Sequence, residues 1–171
     1  MNQTKAMDFN STDDLKQFGF KGFLKMHELF ANSSSVPKKM GVYLVLRASK
    51  DPVRFLLVGS GGFFKGRNPN VTEEVLKSNW VDGSAVVYIG KAGATGKKAT
   101  LQSRLRQYFG FGQGRNIGHW GGRLIWQIDK AEDLVICWKE ADGEEPREVE
   151  ARLIRQFTSQ FSKRPFANLK D

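Results

Sequence analysis

A short apolar run that reaches a glycine constrains the fold of this chain more than any other feature. Residues 86–89 (VVYI) are apolar and mostly β-branched, which predicts a buried strand, and Gly90 is expected to end it. The glycine, alanine, threonine and lysine residues of 90–98 predict a loop. Apolar side chains then recur at helical spacing, at Leu101, Leu105, Tyr108 and Phe109. The stretch therefore predicts a strand, a loop and a helix over residues 100–109.

Further apolar segments extend this unit into a sheet. Strands are predicted at residues 42–46, 55–58, 124–128 and 134–138. Helices are predicted from capping residues and apolar periodicity near residues 12–18, 23–30, 72–76 and 147–162. Together these elements predict an α/β (α+β) domain over residues 37–171, in which a small antiparallel sheet is flanked by helices. Residues 1–36 are expected to form an N-terminal helical extension, with disorder over residues 1–11.

The charge of the chain favours a polyanionic partner. Lysine and arginine number 27 against 18 aspartate and glutamate residues, which gives a formal net charge of +9. A charge of this sign and size is typical of proteins that bind nucleic acid, although a generic basic protein is the plain alternative. The basic residues that are interleaved with aromatic ones are the candidates for nucleic-acid binding: Lys65, Arg67, Arg106, Arg115 and Arg123.

Several classes of protein are disfavoured by the sequence. The one cysteine, Cys137, cannot form an internal disulfide, and no cysteine cluster is present to hold zinc. The N-terminal residues are polar, unlike a signal peptide, and no apolar run approaches the ~20 residues that a membrane span needs. The glycine-rich segments 59–70 and 90–98 match neither a dinucleotide-binding fingerprint nor a Walker A loop. A cytoplasmic protein without membrane contact is expected, and its oligomeric state is open.

The last predicted helix carries a carboxylate on its apolar face. On a helical wheel of ~100° per residue that starts at Val149, Leu153 falls near ~40° and Phe157 near ~80°. Glu150 falls near ~100°, within the apolar arc, whereas Glu148 lies on the opposite face. A buried carboxylate is costly unless it is paired or binds a metal ion. A buried ion pair with an arginine, or a carboxylate favoured by the helix dipole, is the alternative to a functional Glu150.

The helix predicted over residues 100–109 places one arginine beside its apolar side. On the same wheel Arg104 lies just outside the apolar arc, and Tyr108 follows beside it one turn later. An arginine at such an edge can reach a phosphate while its stem stays packed, although a surface arginine fits the position too. Arg106, two positions later, lies on another side of the wheel and is expected to matter less for the same phosphate.

Tyrosines in two predicted strands complete a set of motifs with a definite order. They occur in the sequences Gly-Val-Tyr43 and Tyr88-Ile-Gly, and each alone is typical of a core strand. They are followed in the chain by Arg104, by Glu150 within a Glu-x-x-Leu-Ile sequence, and by Asn168 shortly after a proline. This ordered set resembles the GIY-YIG nuclease superfamily over roughly residues 37–171.

The resemblance implies a metal-dependent DNA endonuclease that hydrolyses phosphodiester bonds. It implies that Glu150 holds one Mg²⁺ or Mn²⁺ ion and that Arg104 stabilises charge on the phosphate. It also implies that Tyr43 activates the attacking water, while Tyr88 orients the site and Asn168 supports its structure.

Three neighbouring residues bear on this expected site. A tyrosine titrates near ~10, so Tyr43 needs a cationic neighbour to act as a base, and Lys91 is expected to supply it unless it is a solvated loop lysine. Tyr108 stands where the family has a histidine one turn after its arginine, and it is expected in the site. His119 has no carboxylate or cysteine partner in view and is interpreted as structural.

Two other functions stay open alongside the nuclease. A protein with the same fold can bind DNA without cutting it, or can act as a regulatory module in which the tyrosines and Glu150 are core polar groups. The presence of both strand tyrosines together with Arg104 and Glu150 favours the enzyme. DNA specificity is expected to reside in the loop of residues 59–70, through Lys65 and Arg67.

Overall fold

The structure, a computed structural model, describes residues 5–169 and is built around a four-stranded sheet. The strands are β1 (Lys21–Lys25), β2 (Gly41–Leu46), β3 (Val86–Ala92) and β4 (Val135–Glu140). They lie in the order β1-β4-β2-β3, and each neighbouring pair is antiparallel. This arrangement confirms the predicted antiparallel sheet of a mixed α+β fold.

Helices flank the sheet, and side chains cap several of them. The α-helices are α1 (Thr12–Gln17), α2 (Met26–Ala31), α3 (Glu73–Asn79), α4 (Leu101–Gly112) and α5 (Pro146–Phe161). Short 3₁₀ helices occupy Phe64–Gly66, Arg123–Gln127 and Ala131–Asp133. The side chains of Ser11, Thr72 and Thr100 accept hydrogen bonds from the first turns of α1, α3 and α4, where backbone donors lack partners. Within residues 5–169, no helix is long and apolar enough to cross a membrane.

Side chains alternate along the central strand β2 and divide the core into two layers. Val42 and Leu44 pack on one face in a cluster with residues of α1 and α5. Tyr43 and Val45 pack on the other face with residues of α2 and α4. Because successive side chains of a strand point to opposite faces, the tyrosine of β2 lies on the α4 side of the sheet.

Gly90 lies inside strand β3, so the prediction that it ends the strand is wrong. The strand continues to Ala92, and Gly90 pairs with Tyr43 of β2. The Tyr43 side chain lies over this glycine, because a Cβ atom at position 90 would come 2.6 Å from Tyr43 Oη. A glycine in a strand interior often marks such a close approach, and here it makes room for the tyrosine ring.

Two predicted strands take other conformations. Residues 55–58 form one isolated β-bridge, from Phe55 to Ile128, instead of a strand, and the side chains of residues 56–58 are exposed. Residues 124–128 fall largely in the 3₁₀ helix Arg123–Gln127, where the apolar side chains are buried on all sides. A short apolar run that is buried all round has no periodicity that separates a strand from a turn of helix, which explains the second error.

The N-terminal residues belong to the same core as the rest of the fold. Phe9 is fully buried, so the prediction of disorder is wrong for residues 5–11, while residues 1–4 lie outside the described residues. Strand β1, which the sequence did not predict, pairs with β4 at the edge of the sheet. Its register shifts between Gly22 and Leu24, and this irregularity obscured the alternation of a strand. The N-terminal segment therefore adds a strand as well as helices.

Candidate functional site

The three tyrosines of the chain meet on the α4 side of the sheet. Tyr43 comes from β2, Tyr88 from β3 and Tyr108 from α4. Their ring centroids lie 6.0 Å apart for Tyr43 and Tyr88, 6.2 Å for Tyr43 and Tyr108, and 5.6 Å for Tyr88 and Tyr108. Tyr43 and Tyr108 are fully buried, and Tyr88 is 7% exposed. The structure thus brings together three predicted site residues that are distant in the sequence.

His119 completes this cluster from the segment that follows α4. Its imidazole stacks on the Tyr108 ring, with centroids 4.1 Å apart and 13° between the planes. A carbonyl oxygen only accepts, so Nδ1 donates to the Gly121 oxygen at 2.9 Å and Nε2 accepts from the Tyr43 hydroxyl at 3.3 Å. Burial, followed by the Arg104 charge, lowers the pKa of His119 to about 3, so the imidazole is neutral. The sequence interpretation gave no sign of these partners.

The His119 loop, residues 113–122, covers the tyrosine cluster with its backbone. Tyr108 Oη donates to the Gly122 carbonyl oxygen at 2.6 Å. Gly122 has a φ of 74°, and a Cβ atom there would come 2.6 Å from Tyr108 Oη and 2.7 Å from the Tyr88 ring. Glycine meets both demands, a left-handed conformation and a close approach, without steric cost. The loop therefore closes the cluster on the side away from the sheet.

Burial and the charges of Arg104 and Glu150 change the pKa values of the tyrosine hydroxyls. Burial raises the pKa of Tyr43 and of Tyr108 well above the usual range, and it raises the pKa of Tyr88 to about 12. The Arg104 charge lowers the pKa of all three, whereas the Glu150 charge raises the pKa of Tyr43 and Tyr88. The hydroxyls are therefore protonated donors near neutral pH. Arg104 and Glu150 are therefore charged side chains whose fields reach the strand tyrosines.

The two arginines of α4 have different surroundings. Arg104 is half-buried and donates from Nη1 to Gln107 Oε1 at 3.1 Å. Arg106 is exposed and donates from Nε to Ser33 Oγ at 2.9 Å. Arg106 is therefore bound to the N-terminal segment, whereas the charge of Arg104 acts on the tyrosine cluster.

The side chain of Lys91 lies on the face of the sheet opposite to the tyrosines. Side chains alternate along β3, so a residue three positions after Tyr88 lies on the α5 side. Hydrogen bonds from Thr95 lower the pKa of Glu145, the residue before α5, and the Lys91 charge adds to this effect. The structure therefore does not place Lys91 beside Tyr43 as expected, and a histidine holds that position.

Glu150 is half-buried in the first turns of α5. It follows Val149, which packs on the α5 side of the sheet, and its charge acts on both strand tyrosines. Residues 5–169 contain no group of three or more histidine, cysteine, aspartate or glutamate side chains placed to hold a metal ion. A single carboxylate nevertheless suits Mg²⁺, which keeps several waters and binds through one or two carboxylates and substrate phosphates.

Asn168 pairs with the backbone of β3 as a further strand would. Its Oδ1 accepts from the Ile89 N–H at 2.9 Å, and its Nδ2 donates to the Ile89 carbonyl oxygen at 2.8 Å. The Ala167 N–H donates in the same way to the Val87 carbonyl oxygen at 2.9 Å. These bonds hold the strand that carries Tyr88, which agrees with the supporting role expected for Asn168.

The remaining basic candidates lie on or next to two glycine-rich loops, residues 59–70 and the His119 loop: Lys65, Arg67, Arg115 and Arg123. Arg123 is half-buried and the other three are exposed. The Lys65 N–H donates to Asn116 Oδ1 at 3.2 Å, so the two loops are in direct contact. The structure therefore gathers these four basic residues on one pair of loops.

No protein-family model, curated protein or solved structure matches this chain. The assignment of a function therefore depends on the site itself. That site combines three protonated hydroxyls, a neutral imidazole acceptor on His119, a cation on Arg104 and a carboxylate on Glu150. Tyr43 and Tyr108 already donate to His119 and to the Gly122 carbonyl oxygen, so Tyr88 and Arg104 are the groups that can donate to an anion, and Glu150 is the group that can hold a cation.

Proposed function

We propose that this chain is a metal-dependent DNA endonuclease of the GIY-YIG type, which hydrolyses phosphodiester bonds. The observation that carries the proposal is the meeting of Tyr43 and Tyr88 with His119, at a place where the charges of Arg104 and Glu150 both act on the tyrosines. A cation, a carboxylate and hydroxyl donors suit a phosphodiester, because catalysis of phosphoryl transfer depends on positioning and electrostatic stabilisation. The net charge of +9 supports a polyanionic substrate.

Arg104 binds the scissile phosphate in this proposal. Its half-buried stem fixes the side chain, and its planar guanidinium offers a fork of N–H donors that fits phosphate oxygens. A cation held in place before the reaction stabilises the charge that develops in the transition state without the cost of reorganisation. Tyr88, whose hydroxyl is protonated, adds a neutral donor beside it.

Glu150 is the residue that would hold the Mg²⁺ or Mn²⁺ ion. One acidic ligand leaves the other coordination positions to water and to the phosphate oxygens of the substrate. When bound there, the ion would supply Lewis-acid polarisation of a phosphoryl oxygen. Glu150 is half-buried, and its charge acts on the same two tyrosines as the charge of Arg104.

His119 positions the Tyr43 hydroxyl in this proposal. The hydroxyl donates to Nε2, which stays an acceptor because burial lowers the pKa of His119 to about 3. The Tyr43 proton therefore points to His119, and the Tyr43 oxygen can accept a hydrogen bond from the attacking water and orient it. The bond from Nδ1 to the Gly121 oxygen fixes the tautomer that this arrangement needs. His119 thus contacts Tyr43 where the sequence analysis expected Lys91.

A plasmid-nicking assay in Mg²⁺ or Mn²⁺ tests the proposal. Glu150→Gln is expected to abolish cleavage and to leave DNA binding intact, because only the metal-binding charge is removed. Arg104→Ala is expected to lower the cleavage rate by about 10²–10³, the cost of losing one preorganised contact.

Glu148→Gln and Arg106→Ala are the matched controls, since both residues are exposed on the same helices as the residues under test. Both variants are expected to cleave at nearly the parent rate. Full activity of Glu150→Gln, activity of the parent in EDTA, or a larger loss from Arg106→Ala than from Arg104→Ala would contradict the proposal.

A DNA-binding module that does not cleave is the second candidate. The observation that favours it is the complete burial of Tyr43 and Tyr108 beneath the His119 loop, because water reaches Tyr43 only if that loop moves. This candidate predicts that the parent chain binds linear, nicked and branched DNA and cuts none of them in either metal. Cleavage of any of these substrates that is lost in Glu150→Gln excludes it.

A further inference from the structure

The guanidinium groups of two arginines each lie against the ring of Trp120, next to the tyrosine cluster. Arg67 Cζ lies 4.3 Å from the centroid of the Trp120 ring, and Arg123 Cζ lies 4.5 Å from the same centroid. The two guanidinium carbons are therefore no further apart than the sum of these distances. Like charges this close repel, and the Arg67 charge adds to burial in lowering the pKa of Arg123. The ring compensates part of this cost through its π face.

Within residues 5–169, no acidic side chain forms a salt bridge with this arginine pair, Arg67 and Arg123. Arg123 donates weakly from Nη1 to the Trp120 carbonyl oxygen at 3.4 Å. Most N–H donors of the two guanidinium groups thus remain available, and their planar forks match the oxygens of a phosphate. An external anion would relieve the repulsion between the two charges.

Contacts between the two glycine-rich loops hold the pair in position. A Cβ atom on Gly62 would collide with the Arg115 carbonyl oxygen, so the backbones of the loops touch there. Nearby, the Lys65 N–H donates to the Asn116 side chain. The two arginines approach Trp120 from segments that are fixed against each other, and little ordering is needed before they bind a ligand.

The arginine pair also lies next to the tyrosine cluster. Trp120 directly follows His119, which stacks in that cluster. Arg123 directly follows Gly122, whose carbonyl oxygen accepts from Tyr108. A strand of DNA that places one phosphate at the tyrosine cluster therefore carries neighbouring phosphates towards Trp120.

We propose that Arg67, Trp120 and Arg123 form a second phosphate-binding site, which holds a backbone phosphate of the DNA beside the scissile one. The inference rests on the proposed function in taking DNA as the substrate, but it requires no cleavage. Contacts to flanking phosphates fix the position of a duplex on a protein without reading its sequence. The site would set where the strand lies over the tyrosine cluster.

The test measures DNA binding as a function of salt concentration, with a short labelled duplex as the probe. Arg67→Gln/Arg123→Gln is expected to bind more weakly, and its plot of log affinity against log salt should be less steep by about 0.9 for each lost phosphate contact. Lys16→Gln/Lys21→Gln removes the same charge from exposed positions in α1 and β1, and is expected to keep the parent slope.

An unchanged slope in a folded arginine double variant would overturn the inference, and so would a lower melting temperature without a change in slope. In the latter case the arginines would only join the two loops. Arg67 is exposed, so Arg67→Gln alone serves if the double variant does not fold, and the same unchanged slope would count against the site. A parent chain that binds through this pair but never cleaves contradicts the proposed function and leaves this inference standing. If the parent chain cleaves DNA and the variants keep the parent salt slope, the proposed function stands and this inference is overturned.

Discussion

His119 is one of two histidines in the chain, and its surroundings keep it uncharged. It is fully buried, and burial is the main reason that its pKa falls from 6.5 to about 3, with the Arg104 charge as the second cause. A proton on Nε2 would remove the acceptor that Tyr43 uses and would add a second positive charge near Arg104. The neutral form of this one side chain is therefore part of the folded structure.

We expect this histidine to destabilise the protein in mild acid. Its pKa is near 6.5 when unfolded and about 3 when folded, so between these values the unfolded chain binds a proton that the folded chain does not. The contribution to stability is complete above pH 6.5 and is lost as the pH falls towards 3, at ~1.4 kcal/mol per pH unit. Urea unfolding at about pH 7 and about pH 5 measures the loss, before most carboxylates titrate.

Between about pH 7 and about pH 5, His119→Gln should lose less stability than the parent. His27→Gln, at an exposed position in α2, should behave like the parent. Equal losses in the parent and in His119→Gln would show that the buried imidazole does not resist protonation. The same variant checks the positioning of Tyr43, because a displaced acceptor should slow cleavage by up to about 10²-fold while binding stays unchanged.

Residues in regular elements were predictable, and residues in loops were not. The helical wheel and the order of motifs selected Arg104 and Glu150, since both lie on helices with clear apolar faces. His119 lies on an irregular loop, where no periodicity indicates which residues it contacts. Lys91 was misplaced because Gly90 was read as the end of a strand. Once β3 continues through that glycine, alternation turns Lys91 to the opposite face.

At the scale of elements, the end of the His119 loop packs closely against the tyrosines. Gly122 combines a φ of 74° with contacts that leave no room for a side chain. Gly96 has almost the same φ, 77°, but nothing lies within 4 Å of a Cβ atom built there. The two glycines therefore share one backbone conformation and differ in packing.

Gly122→Ala is expected to destabilise the protein more than Gly96→Ala. Both variants place alanine in a left-handed conformation, which costs about 1–3 kcal/mol. Gly122→Ala also pushes a methyl group into Tyr88 and Tyr108, and overpacking of this kind adds about 1–3 kcal/mol. Urea unfolding of the two variants gives the difference. Equal stabilities would mean that the His119 loop moves aside easily and does not hold the tyrosines.

Helix α5 and strand β2 were the predictable elements. Helix α5 shows helical spacing over its whole length, β2 is a short apolar run of strand-forming residues, and both were found close to their observed bounds. Strand β1 was missed because its register shifts in the middle. The buried run 124–128 fits a strand and a 3₁₀ helix equally well in sequence, and only the tertiary contacts of the 3₁₀ helix Arg123–Gln127 decide between them.

At the scale of the whole molecule, the N-terminal segment closes the α5 side of the core. The Phe9 ring packs edge-on against Phe157 of α5, with centroids 5.4 Å apart and 75° between the planes. The Phe9 N–H also donates to Gln160 Oε1 at 3.2 Å. Residues that looked disordered in sequence are therefore fixed by contacts with the far end of the chain, which local patterns do not show.

Phe9→Ala is expected to cost about 3–5 kcal/mol of unfolding free energy, as for other buried phenylalanines. Phe63→Ala is the control, since Phe63 is 52% exposed on the loop of residues 59–70, and surface changes usually stay within about 0.5 kcal/mol. Chemical unfolding of both variants separates the two cases. If Phe9→Ala is as stable as the parent, the packing of Phe9 is contradicted and the disorder that the sequence suggested is supported.

Both edges of the sheet are protected against association with other chains. A free edge strand presents unpaired N–H and C=O groups on which another strand can add, and such edges are sites of aggregation. The Asn168 amide and the Ala167 N–H occupy the groups of Ile89 and Val87 on the outer edge of β3. At the other edge, β1 is short, irregular in register and bears a lysine at each end. The Asn168 side-chain amide, which holds the strand that carries Tyr88, therefore also prevents strands of other chains from pairing with the outer edge of β3.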